Sequence, residues 1–174
     1  MSRMLIRPAT PDDADAITAI YNDAILKTTA TLWHESKPIS LWRERLTDRP
    51  THFPLLVAED EGEPGCVSPN QHTVVGFALL GPYDDKCGYD GVAEWSVYIA
   101  EHARGQGIGL ALSEAVIQAG REAGLHSVLS RVTEGNEASF KLHDKLGFTR
   151  VGIFKKLGKK FGRRHDVIAY QLIL

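Results

Sequence analysis

Apolar residues along this chain alternate between two spacings, and the switches mark the elements. Met4 to Arg7 is predicted to be a short strand closed by Pro8. Thr10-Pro11-Asp12-Asp13 supplies a capping hydroxyl, a proline at the first helical position and acids in the first turn. The pairs Ala16/Ile17, Ile20/Tyr21 and Ala24/Ile25 then recur at helical spacing. Thr28 to Glu35 is polar and β-branched around Trp33 and reads as a loop over a cleft. Ile39 to Asp48 reads as a second helix, closed by Arg49-Pro50. Three strands follow: Phe53 to Glu59, Thr73 to Leu80 stopped by Gly81-Pro82, and Val92 to Ile99. A long Gly- and Pro-bearing loop (Asp60 to His72) and a polar turn (Asp84 to Gly91) separate them.

The second half alternates helix and strand. Ile108 to Ala123 is predicted as a helix that buries Ile108, Ala111, Leu112, Ala115, Val116 and Ala119 and stops at Gly124. His126 to Val132 reads as a strand, and Asn136 caps a helix from Glu137 to Leu146 that Gly147 ends. Phe148 to Lys155 and Asp166 to Leu174 read as two last strands joined through a basic loop. The order βααβββαβαββ implies an α/β (α+β) fold in one domain spanning 1–174. Its sheet should be mixed, largely antiparallel and six- to seven-stranded, with helices on both faces. The strand–helix–strand crossover supplies a parallel pair.

Composition narrows the function classes. With 174 residues, 43% of them hydrophobic and 24% charged, the chain is long enough to bury a core. A net charge of −2 gives no electrostatic argument for nucleic acid or a membrane surface. The charge is uneven, since Lys145, Arg150, Lys155, Lys156, Lys159, Lys160, Arg163 and Arg164 follow one another with no acid between Asp144 and Asp166. Such a run reads as a solvated face or as an anion-binding one. Cys66 and Cys87 lie far apart without a metal-ligand spacing, so no metal is expected. No apolar run approaches the ~20 residues that span a bilayer, and the expected setting is soluble and cytoplasmic.

Two stretches carry candidate chemistry. Arg104-Gly105-Gln106-Gly107-Ile108-Gly109 places glycines where a helix begins, so backbone N–H groups and the positive dipole end can meet an anion. No Gly-Lys-Ser/Thr follows, and the spacing is not G-x-G-x-x-G, so neither a Walker loop nor a dinucleotide fingerprint fits. A plain structural turn stays open beside a phosphate-binding one. In the preceding strand Val92, Glu94, Ser96 and Tyr98 share one face and Ala93, Trp95, Val97 and Ile99 the other. Glu94 there is either solvent-facing or a desolvated carboxylate with a raised pKa, suited to accept a proton.

These residues resemble a known family. Arg104 to Gly109 is similar to the Arg/Gln-x-x-Gly-x-Gly/Ala pyrophosphate loop of the GNAT superfamily of N-acetyltransferases. Four further blocks resemble its phosphinothricin N-acetyltransferase family: Glu94 to Ile99, Asn136 to Ser139, Leu142 to Phe148 and Lys160 to Arg163. Asn22-Asp23-Ala24 and Thr28 to Trp33 also fit. The resemblance implies acetyl-CoA as co-substrate, held by Val97, Tyr98, Ile99, Arg104, Gly105, Gln106, Gly107, Ile108, Gly109, Asn136 and Ser139. A β-bulge at Tyr98 and Ile99 would free a strand amide for the acetyl oxygen. Glu94 becomes the general base, His143 the residue returning a proton to the thiolate or positioning substrate, and Tyr89 a helper to the base. Trp33, Lys86 and Tyr89 would line the acceptor pocket, with Lys86 where the family more often has arginine.

The implied reaction acetylates the α-amino group of a small amino-acid analogue such as phosphinothricin, methionine sulfoximine or methionine sulfone. Attack would be direct, in a homodimer without nucleic-acid or membrane partners. Departures are Arg164 in place of tryptophan, Trp95 after the glutamate, and a longer 61–72 loop. They put the acceptor in doubt, so a peptide N-terminal or polyamine acetyltransferase, or a non-catalytic acyl-CoA-binding module, stays open.

Overall fold

The computed structural model describes residues 4–60 and 73–174. The long loop and Cys66 lie outside the described residues. Seven strands are present: β1 (Met4–Pro8), β2 (Leu55–Asp60), β3 (Thr73–Pro82), β4 (Val92–Ile99), β5 (Ser127–Thr133), β6 (Thr149–Lys160) and β7 (Arg163–Ile173). Four α-helices join them: α1 (Ala14–Lys27), α2 (Ile39–Thr47), α3 (Ile108–Glu122) and α4 (Glu137–Lys145). The sheet order is β1-β2-β3-β4-β5-β7-β6. Among the described residues only β4 and β5 run parallel, joined over α3 as the crossover requires. This is the mixed α/β sheet that the element order implied.

Each face of the sheet carries its own core. On one side Ile17, Ile20, Tyr21 and Ile25 of α1 and Trp42 of α2 pack on Leu55, Val57 and Phe77. Four aromatic rings knit this layer to β4: Tyr21 meets Trp42 edge-on at 5.3 Å and Tyr98 at 5.0 Å, and Phe77 stacks on Tyr98 at 5.2 Å. On the other side α3 and α4 cover Val75, Ala78, Leu80, Ala93, Trp95, Val128 and Val132. Burial of such side chains contributes about 25 cal/mol per Å² of apolar surface, the main drive for the layered arrangement.

The structure corrects two details. The buried face of α3 is Ile108, Leu112, Ser113, Val116, Ile117 and Gly120, rotated away from the alanine row, with Ala111 exposed. Ser113 can be buried because its hydroxyl donates to the Gly109 carbonyl at 2.6 Å. A Cβ at Gly120 would stand 2.5 Å from Leu80 Cδ1, so the tip of that buried β3 side chain packs against the bare helix backbone there. The basic stretch is no loop: β6 runs to Lys160 and β7 starts at Arg163, with the turn at Phe161 (φ 50) and Gly162 (φ 76). Lys160 is buried there and its Nζ donates to the Thr31 carbonyl at 2.6 Å, while His34 Nε2 donates to the Lys159 carbonyl at 2.9 Å. The hairpin therefore straps the 28–38 segment to the sheet.

One charged knot ties the first strand to the first helix. Arg7 forks onto both Asp13 oxygens at 2.8 Å and gives its Nε to Glu59 at 2.6 Å. The Thr10 amide adds a third bond to Asp13 at 2.7 Å. Burial pushes the Asp13 carboxyl up, but the Arg7 fork and the Thr10 bonds outweigh it and hold it below 3.8. A carboxyl depressed in the fold stabilises above its unfolded value, and that contribution fades as pH falls through the folded value. Asp13→Asn should therefore lower the unfolding free energy at neutral pH by about 2 kcal/mol in urea titrations. The gap to wild type should close as pH drops below 3.8.

Candidate functional site

The sheet opens in its middle. β4 and β5 pair at only three positions, Val92↔Ser127, Ala93↔Val128 and Glu94↔Leu129. Beyond Glu94 the first strand stays with β3 as far as Ile99, while β5 follows β7. The resulting groove of about 790 Å³ is lined by Trp95 to Ile99 on one arm and Ser130 to Thr133 on the other. The start of α3, the start of α4 and the Lys27–Ala30 segment complete it.

The β3–β4 ladder shows which amides face that groove. Tyr83 N–H donates to the Val92 carbonyl at 3.3 Å and Ala100 N–H to the Val75 carbonyl at 2.8 Å. Bonded and non-bonded pairs alternate in an antiparallel ladder, so Glu94, Ser96 and Tyr98 spend their backbone on β3. Val97 and Ile99 turn theirs toward the opening. The expected bulge at Tyr98 and Ile99 is absent, since the register runs unbroken from Gly76↔Ile99 to Pro82↔Ala93. The divergence of β5 does the work assigned to a bulge, and the amides it exposes are those of Val97 and Ile99. Tyr98 also lines the groove, its ring packed against Tyr21 and Phe77, and burial holds its hydroxyl well above the usual phenol value, hence protonated.

At one end of the groove sits the glycine turn. Gly105 (φ 77) and Gly107 (φ 83) hold left-handed backbone that a side chain would strain, and Gly107 is the N-cap of α3. No side chain caps this terminus; the Leu110 N–H donates to the Gly107 carbonyl at 3.1 Å, and the amides of Ile108 and Gly109 before it can meet an anion. Arg104, Gly105, Gly107, Ile108 and Gly109 line the groove. Gln106 is exposed, with its amide on the His102 carbonyl at 3.2 Å. The Arg104 fork is engaged, its Nε on the Ile99 carbonyl at 3.1 Å and an Nη 3.6 Å from Asp23.

Glu94 lies on the opposite face of β4 from the α3 layer, and sequence reasoning missed its partner. Arg131 donates to Glu94 Oε1 from Nε at 2.8 Å and from Nη2 at 2.7 Å. The carboxylate is partly exposed and ion-paired, between the solvent-facing and the desolvated readings that the sequence left open. Arg131 is two residues beyond Leu129, which opposes Glu94 in the parallel ladder. Residues two apart on a strand share a face, the one signal that could have linked the two.

His143 is in the core, 1% exposed, with its ring 4.9 Å from Trp95, 5.0 Å from Phe148 and 4.4 Å from Tyr170. Nδ1 donates to the Ser139 carbonyl at 2.7 Å, so Nε2 accepts from the Ser130 hydroxyl at 2.9 Å. Burial pushes the imidazole below 6.5, against the upward pull of that carbonyl and of Asp144, and the ring is neutral. Asn136 caps α4 by accepting from the Ser139 amide at 3.2 Å, and Asn136, Ser139 and His143 all line the groove. Ser130, on the other arm, was not foreseen. Trp95 is likewise buried in the α3–α4 layer, stacked on Phe148 at 5.2 Å, and lies away from the face of Glu94.

Five expected residues are not among the groove walls: Glu94, which directly precedes the lining Trp95, the exposed Gln106, and three that lie elsewhere. Lys86 is turned to Asp84 at 2.9 Å. Tyr89 is exposed in a short turn against Tyr83, 5.2 Å between rings. Trp33 is 53% exposed with Lys37 Nζ 3.2 Å over its ring, neither buried anchor nor groove wall. Arg164 is exposed on β7. Among the described residues no His, Cys, Asp and Glu group of three is placed to hold a metal ion, and no helix is long and apolar enough to cross a membrane.

Comparison with known proteins places this arrangement. Residues 17–148 match the model of the acetyltransferase (GNAT) family. An L-methionine sulfoximine/L-methionine sulfone acetyltransferase of Pseudomonas aeruginosa is 38% identical, over 97% of this chain and 94% of that protein. Among solved structures, a ribosomal-protein-alanine N-acetyltransferase from Brucella melitensis is 39% identical with a TM-score of 0.88, covering 98% and 99% of the two chains. A putative acetyltransferase from Salmonella typhimurium, solved with its cofactor acetyl-CoA, is 32% identical with a TM-score of 0.89, covering 98% and 94%.

The buried imidazole sets a pH signature. A histidine whose folded pKa is depressed binds its proton more readily when unfolded. Its stabilising effect is thus complete above 6.5 and declines as pH falls from there toward the folded value. His143→Gln should remove that portion of the decline in urea titrations run from neutral to mildly acidic pH. It should also cost about 1–3 kcal/mol at neutral pH through lost packing and an unpaired Ser130 hydroxyl.

Proposed function

The chain belongs to the acetyltransferase (GNAT) family and is an N-acetyltransferase, and we propose that it moves acetyl from acetyl-CoA to the α-amino group of a small amino-acid analogue. Phosphinothricin, methionine sulfoximine and methionine sulfone are the candidate acceptors. The observation that carries this reading is one opening between β4 and β5, with an uncapped helix start lining one end and Glu94, the last β4 residue paired with β5, where the strands begin to part.

The groove fits acetyl-CoA on its own terms. The uncapped start of α3, with positive-φ glycines before it, suits a pyrophosphate, and Arg104 can exchange Asp23 for a phosphate oxygen. Val97 and Ile99 offer backbone groups to the amides of an extended pantetheine arm, as an added strand would. The co-substrate supplies an activated acetyl thioester. Asn136 and Ser139 flank it from α4.

The chain's own residues then act in order. An amine arrives as an ammonium and cannot attack until it loses a proton, which Glu94 takes directly or through a water. The nitrogen lone pair attacks the acetyl carbon, and the Val97 or Ile99 N–H stabilises the oxygen on which negative charge gathers. The carbon–sulfur bond breaks with its electron pair going to sulfur, and the second proton of the attacking nitrogen passes to the thiolate, directly or through water, so that CoA leaves as its thiol. His143, neutral with Nδ1 donating and Nε2 accepting, holds no proton for the sulfur and acts by orienting the Ser130 hydroxyl on the groove arm. Attack is direct in this scheme: Cys87 is exposed in the Cys87–Tyr89 turn and lies outside the groove.

Residues 1–174 form one domain in this reading, and two copies associate. The support for a homodimer is β6, an edge strand that leaves Val151, Ile153, Phe154 and Leu157 exposed. A second reading, acetylation of a protein N-terminus, has the Brucella melitensis structure in its favour. A thiol-release screen with acetyl-CoA across free amino acids, their sulfone and phosphinate analogues, polyamines and short peptides separates the two.

Glu94→Gln should lower turnover by about 10²- to 10⁴-fold while CoA affinity by calorimetry stays unchanged. Wild-type turnover in that variant across pH would remove Glu94 from the base role. Phe154→Glu should shift the sedimentation coefficient from dimer to monomer.

A further inference from the structure

The cation expected to receive an acidic acceptor, Lys86, is occupied at Asp84. Other basic side chains near the groove are also committed. Arg104 holds the Ile99 carbonyl and faces Asp23, Lys27 is bound to Asp23 and Glu101, and buried Lys160 donates to Thr31. Lys141 and Lys145 approach the groove from α4, the side of the sheet opposite Glu94. On the face of Glu94, the remaining groove-lining cation is Arg131, whose partner is Glu94 itself.

Its geometry is unusual for a purely structural ion pair. Both contacts, from Nε and Nη2, converge on the single oxygen Oε1 of Glu94. The pair itself therefore uses neither the second carboxylate oxygen nor Nη1 of the guanidinium. Both side chains are solvent-accessible, 56% for Arg131 and 32% for Glu94, and Arg131 lines the groove while Glu94 adjoins it through the ion pair. Such an arrangement presents one negative and one positive group in hydrogen-bonding contact at the point where the strands part.

We propose that Arg131 binds the carboxylate of the acceptor, making the Glu94–Arg131 pair the complement of an α-amino-acid zwitterion. This rests on the function proposed above and names the residue that selects its substrate. In an α-amino acid the ammonium and the carboxylate are borne on one carbon, so adjacent opposite charges in the groove can engage both at once. The ammonium meets Glu94, which removes its proton, and the carboxylate meets the guanidinium fork, which matches its two oxygens. A peptide N-terminus, whose α-carboxyl is an amide, and a polyamine, which has none, lose the second contact and leave Arg131 without its ligand. Arg131 thereby fixes which nitrogen is presented to the base as well as binding the molecule.

The test compares two acceptors on each enzyme: methionine sulfone and its α-carboxamide, assayed by thiol release from acetyl-CoA. Wild type should favour the free acid. Arg131→Ala should lower kcat/KM for the acid by about 10- to 100-fold, chiefly through KM, and alter the carboxamide far less, while Arg131→Lys recovers part of the preference. Any change in Glu94 or in the amount of folded protein affects both acceptors equally and cancels in the ratio. An acid-to-amide ratio that is the same in wild type and Arg131→Ala would overturn the assignment while leaving the proposed acetylation of amino acids intact. Wild type that acetylates peptides or polyamines and neither sulfone probe would overturn both.

Discussion

Two parallel strands that part after three paired residues set the terms for everything around them. A strand backbone away from water must find partners for its N–H and C=O groups, so an unfilled split in a sheet is costly. Here the split is kept open from both sides. β3 holds the near arm through a continuous ladder, β7 holds the far arm along all of β5, and the His143–Ser130–Trp95 cluster is wedged beneath. With both arms anchored the gap cannot close by strand pairing, and a ligand with amide groups of its own is the natural filler. The start of α3 lies just beyond because the chain must leave Ile99 and cross back to reach β5. The position of the anion-binding turn is thus a consequence of the crossover.

Much of the fold was legible because local signals agreed with it. Caps at Asn136 and around Thr10, breaks at Gly124 and Gly147, and the two periodicities gave the elements in their observed order. The errors share a cause. The buried face of α3 was read from side-chain size, yet Gly120 and Ser113 are inside because the Leu80 side chain packs against the helix backbone and because a hydroxyl can be satisfied locally. The basic stretch was read as a loop from its polarity, whereas an edge hairpin can carry charge on its open side and still pair on both sides of the irregularity between Phe154 and Gly158.

The site was legible as a set of blocks but not as a set of contacts. Glu94 and Arg131 are 37 residues apart, on neighbouring strands, and no local pattern announces their pairing. His143 was placed in the right block, while its burial depended on Trp95, Phe148 and Tyr170, which arrive from three other segments. Lys86 and Trp33 failed for the complementary reason. Short-range partners, Asp84 two residues away and Lys37 four away, captured side chains that alignment of the blocks had assigned to the pocket.

The alternation of β4 has a consequence for how such a protein can change over time. Its odd positions, Ala93, Trp95, Val97 and Ile99, pack toward α3 and α4, and its even positions, Glu94, Ser96 and Tyr98, face the α1 side. In the proposed function, a mutation at an even position, or at Arg131 beside it, would alter the surface met by the incoming amine without entering the α3–α4 layer. The strand works as two independently editable ledgers written on opposite sides of one page. Variation in acceptor can therefore accumulate on one side while the machinery for the shared acyl donor is inherited unchanged on the other.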